Sequence, residues 1–136
     1  MRLNTQNRTA FTLVEIMIVV AIIALLAAIA VPNFLRARKR SQASKILEDL
    51  RMLDGATDQY AMDNNKTSGM NPSFTDLQAY LKTGTTLYNT GADLFGDSYG
   101  PFTVDSVVGV PMAAFNALSD VAPVSFWSPY FWGPGS

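Results

Sequence analysis

Across residues 11–35 the chain holds one charged residue, Glu15, in a run dominated by Ile, Val, Leu, Ala and Met. A helix rises about 1.5 Å per residue, so this run is long enough to cross a hydrocarbon core of about 30 Å. After Leu35 the pattern changes. Ala43, Ile46, Leu47, Leu50, Leu53, Tyr60 and Ala61 recur at three- and four-residue spacings, and Lys45, Glu48, Asp49, Arg51, Asp58 and Gln59 fill the other face. That periodicity predicts an amphipathic helix over residues 36–64, continuous with the apolar one. The joined helix has about 50 residues, against a usual mean of about 11–12. One head cannot cover so long a helix, so the stripe is its seat and the rest projects.

Residues 65–136 read as that head. Asn64, Asn65, Ser68 and Gly69 mark a turn-rich loop. Ser73 with Asp76 three residues on predicts a capped short helix, with Leu77, Tyr80 and Leu81 inward and Gly84 as its stop. Short strands are predicted at 86–88, 99–104, 107–110 and 124–127, separated by Gly, Pro and Asp. The expected fold class is α+β, a long N-terminal helix packed against a small C-terminal antiparallel sheet. The tail carries Phe126, Trp127, Tyr130, Phe131 and Trp132 among Pro and Gly. These rings either pack over the sheet edge or form a subunit contact or ligand-stacking surface.

Composition narrows the chemistry. The 136 residues contain no Cys and no His, which removes disulfides, thiolate metal sites and the commonest general base. There is no Gly-rich phosphate loop ending in Lys-Ser or Lys-Thr. With no nucleophile–base set, an enzyme is not expected. The net charge of -1 conceals an asymmetry. Through Arg51 eight Lys and Arg face three acids, and beyond it Lys66 and Lys82 face eight Asp. An acidic head argues against nucleic acid as a partner. Asp93, Asp97, Asp105 and Asp120 offer hard oxygens suited to calcium, but their spacing makes no dense ligand loop, so no cofactor is assigned.

Two residues of the apolar run are costly there. An unpaired carboxylate at Glu15 costs about 2.5–3.5 kcal/mol or more in a membrane. Pro32 removes a backbone donor and crowds the Ala28 carbonyl, about 3 kcal/mol in a helix interior. Glu15 either lies near the interface with its carboxylate in water or meets a positive charge at its own depth. Pro32 kinks or ends the membrane part of the helix. An ordinary secretory signal is cut after its apolar run, where Ala27, Ala28 and Ala30 stand. This run is too long for that pattern and contains a Glu.

The run from Ala10 through Phe11, Thr12, Leu13 and Val14 to Glu15, the apolar stretch, and then Val31, Pro32, Asn33 and Phe34 closely resemble the processing segment of type IV pilins and type II secretion pseudopilins. The resemblance covers about the first third of the chain. It implies a leader, residues 1–10, removed by a prepilin peptidase between Ala10 and Phe11, and N-methylation of Phe11. Ala10 departs from the family's usual Gly. Residues 11–35 become the transmembrane and assembly helix. Glu15 then pairs with the Phe11 amine of a neighbouring subunit, and Pro32 marks where the helix kinks or unravels on packing. The implied product is a helical homo-oligomer in the bacterial inner membrane. Its implied partners are an assembly platform, a secretion ATPase, minor pseudopilins and membrane lipid. Charge counting alone places the Arg36, Arg38, Lys39 and Arg40 cluster inside the cell. The resemblance instead places the leader inside and the head in the periplasm. Beside the membrane that cluster faces lipid headgroups before assembly, and Glu48 and Asp49 of other subunits afterwards. Asp93, Phe95, Gly96 and Tyr99 also resemble an Asp-Pro-Trp-Gly-Asn-Pro-Tyr turn of major pseudopilins, with Leu94 and Ser98 in place of its prolines. That turn and the lack of Cys favour a type II secretion pseudopilin over a type IV pilus pilin. A membrane-anchored binding module that does not polymerise is the third reading.

Overall fold

The computed structural model describes residues 10–131. The expectations for residues 1–9 of the leader and for Trp132 lie outside that range. The chain divides into two compact units after Arg36. One helix, α1, spans Leu13–Asp63, 51 residues, close to the length its hydrophobic pattern predicts.

In the first unit, every residue of α1 is exposed. Its most apolar window has a mean hydropathy of 3.0 and no buried residue, and α1 is long and apolar enough to cross a membrane. Pro32 lies inside α1 and does not end it.

In the second unit, α1 presents Ala43, Ile46, Asp49, Leu50, Leu53, Ala56 and Thr57 as a buried stripe. The Thr57 hydroxyl is satisfied by the Leu53 carbonyl at 2.8 Å, so a polar residue can sit in that stripe. Among its described residues the unit also holds four short helices: α2 (Phe74–Gln78), α3 (Thr86–Thr90), α4 (Met112–Leu118) and α5 (Val124–Trp127). They bring Leu77, Leu87, Ala114, Leu118 and Trp127 into one core with the α1 stripe. A large apolar side chain so buried contributes about 1.5–3 kcal/mol. Ser73 starts α2 with the predicted reciprocal cap: its hydroxyl accepts from Asp76 N and Asp76 Oδ2 accepts from Ser73 N. α2 ends at Gln78, ahead of Gly84.

The expected antiparallel sheet is absent among the described residues. Pairing there is limited to isolated bridges, Ala92 with Ser98 and Thr103 with Ser106. Residues 86–88 belong to α3, because the Thr85 hydroxyl caps Tyr88 N and Gly91, at φ 62°, closes the helix in the left-handed region. Residues 124–127 form α5, started by the bond from Phe126 N to the Pro123 carbonyl. The apolar stretches at 99–104 and 107–110 satisfy their backbones loop to loop. Val104 N donates to Met70 O, Gly69 N to Val104 O, and Val110 N to Tyr130 O. The described head is helical and irregular, and the α+β expectation is corrected accordingly.

The tail packs into this core rather than over a sheet edge. Trp127 is fully buried, and its Nε1 donates to the Ala122 carbonyl at 3.0 Å. Tyr130 is buried, and the Phe131 ring lies 4.6 Å from that of Phe115.

Candidate functional site

The start of α1 gathers three of the four site residues singled out from the sequence. Ala10 and Phe11 are exposed, Phe11 to 83%. Thr12 and Glu15 form a reciprocal cap: Thr12 N donates to Glu15 Oε2 at 2.9 Å, and Glu15 N donates to Thr12 Oγ1 at 3.2 Å. Two orphan amides of the first turn are thereby satisfied, and the carboxylate sits at the positive end of the helix dipole. Glu15 therefore has a function within its own chain, besides any function between chains. One carboxylate oxygen holds the cap, and Glu15 Oε1 makes no hydrogen bond among the described residues. Pro32 stands apart from this group, further along α1.

The basic cluster is split by its partners. Lys39 is bound to Asp120 through both carboxylate oxygens, at 2.9 and 3.0 Å. Arg36, Arg38 and Arg40 are exposed. Lys45 lies 3.3 Å from Glu48 and 3.2 Å from Asp49. Burial alone would lower the Lys45 pKa, but these two carboxylates outweigh it and hold the ammonium above its ordinary range.

Asp49 departs from its predicted place on the polar face. It is buried, with its Oδ2 accepting from the Tyr99 hydroxyl at 3.3 Å. Its Oδ1 is at ion-pair distance from Lys45 without hydrogen-bond alignment. It is thus not available to neighbouring subunits. Tyr99 is delivered by the Asp93 turn. Asp93 Oδ1 accepts from Phe95 N at 2.8 Å and Asp97 N at 3.0 Å, and Gly96 takes φ 91°. Gly91 O then receives Tyr99 N at 3.0 Å. Burial, then the charges of Asp49 and Asp93, push the Tyr99 hydroxyl far above its ordinary range. The turn thus ties the middle of the head to α1.

Among the described residues no three acidic side chains gather to hold a metal ion. A shallow cleft of about 600 Å³ is lined by Asp58, Ala61, Met62, Asn65, Lys66, Val104 and Asp105.

The model of the prokaryotic N-terminal methylation motif matches residues 5–31. Over 61 residues the chain is 39% identical to the type II secretion system core protein G of Klebsiella pneumoniae, covering 45% of this chain and 44% of that protein. It is 41% identical over 76 residues to the type IV wide pilus major component of Thermus thermophilus, covering 56% and 53%. It is 45% identical over 67 residues to the type IV major pilin of Myxococcus xanthus, covering 49% and 30%. The chain thus spans about half or less of the length of these curated relatives. No solved structure matches it significantly. The N-terminal part carries a prepilin-type methylation motif and is similar to type II secretion core protein G and to type IV pilins.

Proposed function

We propose that this chain is the structural subunit of a type IV-like filament, a type II secretion pseudopilin that polymerises in the inner membrane and drives protein secretion. The observation that carries the reading is the exposed apolar part of α1, opened by Phe11 and Glu15. Cleavage after Ala10 by a prepilin peptidase, followed by methylation, creates a cationic amine at Phe11. A neighbour's Glu15 neutralises that amine at the same depth, and one docking event relieves two costly charges. The chain is anchored by α1 with its head in the periplasm. An assembly platform, a secretion ATPase, minor pseudopilins and membrane lipid are its partners. A surface pilus is the second reading, favoured by the likeness to the pilins of Thermus and Myxococcus.

The capping geometry supplies a discriminating test. Gln also closes a capping box, so Glu15→Gln keeps the helix start but lacks the charge. Expressed with a prepilin peptidase and the assembly machinery, Glu15→Gln is expected to insert, to be cut before Phe11, and to give at least about tenfold fewer filaments by electron microscopy. That factor corresponds to about 1.4 kcal/mol of lost pairing. Normal filaments from Glu15→Gln would remove the charge-pairing account. An N-terminal peptide beginning at Met1 would remove the processing class.

A further inference from the structure

α1 carries two like-charged pairs. Arg36 and Arg40 stand four residues apart, and so do Asp54 and Asp58. Residues at that spacing are neighbours on a helix, and like charges there repel. The distance between the pairs is the same for both members: Arg36 to Asp54 and Arg40 to Asp58 are each eighteen positions. That is about five turns, so both pairs fall on one stripe of the helix, about 27 Å apart along it.

The ion pairs seen among the described residues of the head lie elsewhere. They join Lys39 to Asp120 and Lys45 to Glu48 and Asp49. Arg51, three residues before Asp54, interacts with the Tyr130 hydroxyl. Asp54 has its carboxyl pushed up by burial and by the charge of Asp58. Arg36, Arg40 and Asp58 are exposed.

We propose that the two pairs are complementary halves of one contact between copies of this chain: Arg36 and Arg40 of one copy seat against Asp54 and Asp58 of a parallel copy displaced by about five helical turns. The inference rests on the filament reading and deepens it. An antiparallel copy would match Arg36 with Asp58 and Arg40 with Asp54. It would send the two exposed apolar segments in opposite directions, whereas subunits anchored in one bilayer with one orientation must be parallel. A parallel, displaced contact is heterologous and leaves a free half on each copy, so it propagates instead of closing. Pairing of Glu15 with a neighbour's Phe11 needs a displacement of about four residues, or about 6 Å. The two contacts therefore engage different neighbours. Lys82, exposed and outside α1, serves as the control.

The chain has no Cys, so disulfide trapping is clean. Full-length chains carrying Arg40→Cys and Asp58→Cys singly are coexpressed under assembly conditions, filaments are imaged, and the membranes are oxidised. A covalent dimer is expected from this pair, and its loss is expected when Glu15→Val blocks assembly. Reversal of both arginines to Asp, or of both aspartates to Arg, is expected to reduce filaments at least about tenfold. The fourfold exchange should restore them, and Lys82→Glu should change them less than twofold. Filaments without the 40–58 dimer overturn the inference, as does preferential trapping of Arg36→Cys with Asp58→Cys. Filaments lost on arginine reversal and not restored by the exchange would assign the arginines to anionic lipid headgroups and overturn it too. Absence of filaments from the unsubstituted chain would instead remove the filament reading, and this inference with it.

Discussion

The Tyr99 hydroxyl donates to a buried carboxylate, and the ammonium of Lys45 lies against the same Asp49. A hydrogen bond to a charged group contributes about 1.5–3 kcal/mol, so Tyr99→Phe should weaken the head by that order at neutral pH. The pH dependence has a definite sign. Tyr99 and Lys45 both have folded-state pKa values raised above their ordinary values of 10.0 and 10.5. Each contribution is therefore full below the unfolded value and is lost as pH rises through the folded one. Stability should fall from about pH 10 upward, and the fall should be shallower in Tyr99→Phe. Urea titration of the full chain in detergent micelles at pH 7 and about pH 10.5 reads both effects. Equal alkaline slopes in the two proteins would show that Tyr99 ionises freely. Residue by residue, the chemistry that could be read from sequence was local. Ser73 and Asp76 stand three residues apart, so their cap follows from spacing. Asp49 and Tyr99 are 50 residues apart, and no periodicity joins them. Asp49 nonetheless left a signal: it follows Ile46 by three and precedes Leu53 by four, which is the spacing of the buried stripe itself.

The short elements show how local bonds overrode residue propensity. Thr and Tyr at 86–88 favour strands, yet an isolated strand has no use for its backbone donors and acceptors unless an edge stands beside it. The Thr85 hydroxyl offers Tyr88 N a partner at once, and Gly91 closes the helix at φ 62°. Both signals were present in the sequence, and the cap outweighed the strand preference. The α1 boundary, by contrast, was readable because more than a dozen turns of consistent pattern leave little room for another answer. Two substitutions weigh the parts of α3. Thr85→Ala removes one cap and should cost about 0.5–2 kcal/mol. Gly91→Ala should cost more. It puts a side chain in the left-handed region, a penalty of about 1–2 kcal/mol, and its Cβ would lie 3.0 Å from the Phe74 ring. Thermal melts of both variants beside the unsubstituted chain test the order. If Gly91→Ala is the milder change, the closing turn does not hold α3.

At the scale of the molecule the apolar residues fall into two populations, one exposed and one buried. From Leu13 to Leu35 they are exposed along α1, whereas the buried core begins at Ala43 and is completed by α2 through α5. No buried residue of the head lies in the first unit. The head's long-range polar bonds, Lys39 to Asp120 and Tyr99 to Asp49, also lie wholly beyond Arg36. The head therefore has a core of its own, and the exposed apolar run of the first unit contributes nothing to it. A chain beginning at Ala37 should keep the head's cooperative melt, within about 1 kcal/mol of the full chain in micelles, because truncation removes only exposed surface. It should also stay monomeric in detergent-free buffer by light scattering, since the contiguous apolar segment that demands cover is gone. An unfolded or aggregated fragment would mean that residues 13–36 complete the head's core. A folded fragment that still forms filaments in buffer would move the seat of assembly from the apolar helix into the head.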